Sequence, residues 1–196
     1  RNASTAGGSA TGGTRELVVY NAQNTLTLHA VLKDLSAVTG SGSATLALVK
    51  GGAGTLLLSG SNAYSGGTTV SQGSLLLTGS AGVVVLPAGG VTVSAAKLTL
   101  TQAGQMASAN TLTINNGGSV TLVGNNTLHS LVFNNHGSAS APTLTLGSTL
   151  TLSSFTPVTV LTQDASSVPV LQSGSLMLQS GSNTFEFGAI QIAGRT

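Results

Sequence analysis

The stretch GAGTLLLSGSNAYSGGTTVSQGSLLL, residues 52–77, holds one short cassette twice. Leu56-Leu57-Leu58 follows Gly54-Thr55, and Leu75-Leu76-Leu77 follows Gly73-Ser74. Residues two apart on an extended strand project to the same side, so each cassette offers one apolar pair. A pair that short forms no core by itself. The Gly, Ser and Asn between the copies are turn-forming residues, and they lack the spacing of a helix. The copies lie about twenty residues apart, which is within the period range of repeat folds.

Similar alternating runs continue on both sides. TLTLH starts at Thr25, TLAL at Thr45, VTV at Val91 and KLTL at Lys97. TLTI starts at Thr111, SVTL at Ser119, and TLTL at both Thr143 and Thr149. SLML from Ser175, FEF from Phe185 and IQI from Ile190 close the set. Alternation with a period of two marks strands with one apolar face, and Gly, Asn and Ser clusters separate the runs. Leu17 to Leu35 is the ambiguous part, because LHAVLKDLSAV admits a helical turn or two. One series of inward positions starts at Leu56, Leu75, Leu98, Val120 and Leu144. A second starts at Val91, Leu112, Leu131, Leu150 and Val168. Two interleaved series sharing a period predict an all-β parallel β-helix (a β-solenoid) with about 20 residues per coil and a strand on each of two faces. Outward Thr would cover the strands. Asn115-Asn116, Asn125-Asn126 and Asn134-Asn135 suit left-handed turns and stacked amide ladders.

Residues 1–14 are small, polar and without period, and read as a linker or frayed end; residues 15–196 read as one solenoid segment. The 196 residues suffice for one sizeable core. Only 5% are charged, against about 25% in ordinary domains. The net charge is +2, and Arg1, Arg15, Lys33, Lys50, Lys97 and Arg195 are scattered. Nucleic-acid binding needs clustered cations, so none is expected. Cysteine is absent, which removes disulfide and thiolate chemistry. No apolar run is long enough for a transmembrane helix. No basic-then-apolar segment opens the chain, so an exported protein would reach this form as a mature chain or an excised fragment.

Residues 52–77 resemble the passenger-associated transport repeat, also called the autotransporter-associated β-strand repeat. Its pattern reads approximately G-x-G-T-L-x-L-S-G-x-N-x-Y-x-G-x-T-x-V-x-x-G-x-L-x-L. Gly52, Gly54, Thr55, Leu56, Leu58, Ser59, Gly60, Asn62 and Tyr64 fit it, as do Gly66, Thr68, Val70, Gly73, Leu75 and Leu77. The lead-in VTGSGSATLALVKG fits as well. The resemblance implies a right-handed parallel β-helix, exported by type V secretion to the surface of a Gram-negative bacterium. It implies a translocator barrel in the outer membrane, part of the same precursor but outside this chain. Barrel strands are rich in aromatic girdles, and with six aromatic residues this chain reads as passenger only. The implied role is a structural or adhesive stalk, with host or bacterial surface molecules, or further copies of itself, as partners.

The chain offers few groups for chemistry. Polysaccharide-cleaving β-helices use clustered carboxylates, whereas Glu16, Asp34, Asp164 and Glu186 are dispersed. Asp164 and Glu186 are spaced for neighbouring coils and form the one candidate pair. His129 and His136 are the one candidate metal pair, without acids or cysteines nearby. Tyr64 reads either as a carbohydrate-stacking ring or as a ring packed over a coil edge. Thr25/Thr27 and Thr143/Thr145 have the outward spacing of an ice-binding solenoid face but form no strict array in the sequence. No catalytic residue, metal or cofactor is therefore assigned. The favoured role is structural, and the alternatives are a polysaccharide-active enzyme or a self-associating module for aggregation or biofilm.

Overall fold

A strand with one apolar face is buried when another lies beside it, face matching face, and stacked coils bring equivalent strands together in the same direction. The computed structural model shows this arrangement over residues 13–36, 43–136, 140–162, 167–179 and 191–193, which are the residues described below. The expected linker, residues 1–14, lies outside them except for its last two residues. Three parallel sheets run along the stack. The first holds β1 Thr14–Tyr20, β3 Thr45–Gly51, β5 Thr68–Val70, β7 Val91–Ser94, β9 Thr111–Asn115, β12 Ser130–Asn135 and β15 Val158–Thr162. The second holds β2 Thr25–Leu28, β4 Thr55–Leu58, β6 Ser74–Leu77, β8 Lys97–Leu100, β10 Ser119–Leu122, β13 Thr143–Leu146, β16 Val170–Gln172 and β18 Gln191–Ala193. The third is short: β11 Asn126–Leu128, β14 Thr149–Leu152 and β17 Ser175–Leu178. Every pairing between these strands is parallel; a lone antiparallel bridge joins Leu35 to Ala44.

The first sequence series holds residue for residue. Leu56, Leu75, Leu98, Val120 and Leu144 are register partners in the second sheet, each fully buried. Leu58, Leu77 and Leu100 form the column beside them. The second series holds through Val91, Leu112 and Leu131, then departs from expectation. The partner of Leu131 is Val158, not Leu150. Leu150 belongs to the third sheet, between Asn126 and Leu176, and Val168 lies outside every strand. The physical cause is coil length. The step is 19 residues from Leu112 to Leu131 but 27 from Leu131 to Val158, and these longer late coils have room for a third strand.

Three further expectations change. Leu17–Leu35 carries no helix in its described part; it forms β1 and β2, whose inward side chains Leu17, Val19 and Leu28 pack on the core. Outward Thr is more regular than the sequence suggested: Thr69, Thr92 and Thr113 are aligned, as are Thr99, Thr121 and Thr145. The Asn pairs serve turns more than ladders. Asn116 has φ +37° and its Oδ1 accepts from the His136 N–H at 3.0 Å. Asn115 and Asn134 are register partners, but neither Oδ1 accepts a hydrogen bond among the described residues.

Leu75 lies between Leu56 and Leu98 with no exposed surface. Leu75→Ala should cost about 2–5 kcal/mol, the range for a buried leucine truncated in a packed core. Leu76→Ala, on the outward face of the same strand, should cost less. Urea unfolding of the two variants beside the parent checks this, and equal losses would contradict the assignment of inward and outward faces.

Candidate functional site

The corners between sheets are where a solenoid's main-chain groups lose their ladder partners, and such groups must be paired when buried. In residues 48–77 polar side chains reach inward to do this. Leu48 and Lys50 share the inward face of β3 and are in register with Thr68 and Val70. Lys50 has no exposed surface. An ammonium has three donors and no acceptor. Here Nζ donates to the carbonyls of Gly51 at 2.7 Å, Gly52 at 2.7 Å and Gln72 at 3.2 Å. Gln72 reciprocates, its Oε1 accepting from the Gly52 N–H at 3.2 Å. Burial pushes the Lys50 pKa below its ordinary value.

Asn62 ties three coils together: Oδ1 accepts from the Leu32 N–H and Nδ2 donates to the Val85 carbonyl, both at 2.8 Å. Tyr64 is 1% exposed, with its hydroxyl 2.6 Å from Thr68 Oγ1. Thr68 occupies an inward position directly beside Leu48, so this pair keeps a core threonine satisfied. Burial drives the Tyr64 phenol up to about 12, against a smaller opposing effect of the Thr68 bond. The carbohydrate-stacking reading of Tyr64 is thereby overturned, because the ring presents no surface to a ligand.

The glycines of this stretch mark close approach. Gly73 has φ +63°, and a Cβ there would lie 2.5 Å from the carbonyl oxygens of Gly52 and Gly54. At the Gly66-Gly67 corner the left-handed residue is Gly67, φ +85°; Gly66 is needed because a Cβ would meet the Leu46 carbonyl oxygen at 2.6 Å. All fifteen residues that fit the pattern fall on these two stacked coils, with Thr55 and Ser59 half-buried. Leu56, Leu58, Val70, Leu75 and Leu77 are core, and Gly52, Gly54, Asn62, Tyr64 and Thr68 are buried. Gly60, Gly66 and Gly73 are half-buried.

Sequence reasoning missed three participants. Lys50 read as one of several scattered cations. Asp34 read as an ordinary acid, yet its Oδ1 accepts from the N–H groups of Leu46 at 2.7 Å and Ser65 at 3.0 Å, and its Oδ2 from Ser65 Oγ at 2.7 Å. These bonds, the Leu46 N–H foremost, hold its carboxyl below the usual carboxylate range. His29 Nδ1 lies 3.0 Å from Ser59 Oγ, and no hydrogen bond joins that ring to a carboxylate among the described residues. The only available signal was position: Lys50 stands just ahead of Gly52, and Asp34 and His29 lie one coil before their partners Ser65 and Ser59. The remaining candidates do not converge. His129 and His136 are exposed at opposite ends of β12, roughly 20 Å apart at a strand's rise per residue. Glu16 is exposed on β1, and Asp164 and Glu186 lie outside the described residues. Among the described residues no three His, Cys, Asp or Glu side chains are grouped as metal ligands.

The fold and the interior of this coil define a parallel solenoid in which one stretch carries special corners. Residues 48–77 match the family model of the passenger-associated-transport-repeat. The chain thus carries that repeat, which supports a passenger segment of an autotransporter exported by type V secretion. The match opens at residue 48, ahead of the Gly52 boundary expected from the sequence, and so takes in Lys50. No curated protein and no solved structure matches the chain.

Tyr64 generates a pH prediction. Folded Tyr64 holds its proton to about pH 12, whereas an unfolded tyrosine releases it near pH 10. The unfolded state binds fewer protons between these values, so stability falls as pH rises through that window and is unaffected below it. The loss should reach roughly 2–3 kcal/mol at the top of the window. Tyr64→Phe should cost about 1 kcal/mol near neutrality and abolish this alkaline loss. Lys50 acts in the opposite sense, since its lowered pKa favours folding as pH rises, but it is common to both proteins. Unfolding of parent and variant across the alkaline range checks the difference, and parallel curves would contradict it.

Proposed function

We propose that this chain is a structural segment of an autotransporter passenger, forming a rigid extracellular stalk whose transport repeat aids folding and export. In this reading the β-helix is right-handed, with about 20 residues per coil in the repeat. The observation that carries it is the coincidence of the family match with the coil whose buried polar groups are satisfied by Lys50, Asn62 and the Tyr64–Thr68 pair. A chain that crosses a membrane unfolded must form its core afterwards, coil upon coil, and each coil stabilises the next. The absence of cysteine leaves no disulfide to obstruct passage, and the scarcity of charge and aromatic bulk suits the same route. The translocator barrel of the same precursor is the partner this reading requires. The fifteen pattern residues of the repeat then serve stability and export, with no part in ligand recognition and none in catalysis.

Self-association is a second reading, supported by the exposed apolar side chains Val18, Tyr20, Leu26, Val31 and Leu35 in and beside β1 and β2. Sedimentation of the purified chain separates the two: a monomer across the concentration range favours the stalk, and growing oligomers favour association. For export, Gly66→Val in the full-length precursor forces a side chain against the Leu46 carbonyl. Surface display and protease resistance should both fall, while any adhesion per displayed molecule stays unchanged. Normal display with adhesion alone lost would make the repeat a binding site instead.

A further inference from the structure

We propose that Lys50 is the register key of the solenoid, the buried residue that makes β5, and no other later strand, stack on the side of β3 opposite β1. The need for a key follows from the sequence. TLTL at Thr25, TLLL at Thr55, SLLL at Ser74, KLTL at Lys97, SVTL at Ser119, and TLTL at Thr143 and Thr149 are near-equivalent strands. Each puts two aliphatic side chains inward, and a parallel ladder forms equally between any two of them. Hydrophobic pattern fixes which face is inside, but it leaves open which coil lies on which.

Lys50 breaks this equivalence. It stands in the inward column Val19, Lys50, Val70, Val93, Ile114, Phe133 and Val160, where it is the one charged member. Two of its acceptors, the carbonyls of Gly51 and Gly52, are on the corner that leaves β3; the third, of Gln72, is on the corner that leaves β5. The ammonium is fully satisfied only when these two corners are stacked. The Gln72 side chain closes the arrangement from the other coil by accepting from Gly52. If β3 lay on β7 instead, Ala95 would occupy the place of Gln72, since Val70 and Val93 are register partners. Ala95 has no side-chain amide, and its φ of +49° turns its main chain differently. A buried ammonium with an incomplete set of acceptors is heavily penalised, whereas an aliphatic residue there would accept either stack. A buried polar group that fixes register at some cost in stability is the best-attested use of such groups. The inference concerns folding fidelity and holds whether or not the repeat aids export.

The test is Lys50→Met in the purified chain, which keeps an unbranched side chain and removes the charge. After unfolding and refolding, hydrogen exchange read by mass spectrometry should show one isotopic envelope for peptides covering residues 48–77 in the parent. Two envelopes, with an added slow refolding phase, are expected in the variant. A single envelope in Lys50→Met, whether at raised, equal or lowered stability, would overturn the proposal and leave Lys50 as a filler or a carbonyl cap. If Lys50→Met does not fold, Lys50→Ala is refolded with propylammonium or with propanol. Recovery of one envelope with the ammonium alone supports the key, and recovery with neither or with both overturns it.

Discussion

The structure depends on how a nearly uncharged chain satisfies the main-chain groups of its corners. Strands in a parallel stack satisfy one another along the ladder, but each coil must turn between sheets, and there the ladder is interrupted. Side-chain amides take over at these points. Gln105 is fully buried; its Oε1 accepts from the Thr101 and Gln102 N–H groups and its Nε2 donates to the Gly79 carbonyl. Asn110 accepts from the Gly90 N–H and donates to the carbonyls of Leu86 and Pro87. Asn126 accepts from Gly104 and donates to Val123 and Gly124. An amide carries both donors and an acceptor, so a single residue can serve two coils without introducing charge. The repeat at residues 48–77 uses Asn62 in this manner and adds an ammonium and a phenol.

This explains how much of the fold was legible. Leu56, Leu75, Leu98, Val120 and Leu144 could be aligned from spacing alone, because strand alternation records the inward face directly. The series through Val91 was legible only as far as Leu131. Beyond it the coil lengthens, Leu150 moves to a third sheet, and a fixed period has no means of registering the insertion. Parallel pairing and the scarcity of helix followed from the same pattern, while Leu17–Leu35 stayed ambiguous because its leucines satisfy either period over so short a run.

The special coil was legible as a motif but not as a mechanism. The pattern picked out Gly73, Asn62 and Tyr64 as a group, but left open whether Tyr64 stacks on a ligand or packs over a coil edge; it is buried against Thr68. Lys50 was harder still. A lone lysine reads as solvated surface, and only the three-dimensional stack shows that its inward position carries a ring of carbonyls. Asp34 resembles it: its acceptors' worth comes from Leu46 and Ser65, residues of later coils that the sequence does not place beside it. What unites them is that stacking completes a set of partners that local sequence leaves unfilled.

The central claim is that the polar groups buried in the repeat are satisfied, Lys50 foremost among them. Solution NMR of the lysine side-chain ammonium groups tests it most directly. The Lys50 ammonium should exchange slowly with water and show hydrogen-bond couplings to the carbonyl carbons of Gly51, Gly52 and Gln72, unlike the exposed Lys33 and Lys97. A Lys50 signal lost to rapid exchange, or indistinguishable from those two, would contradict the account.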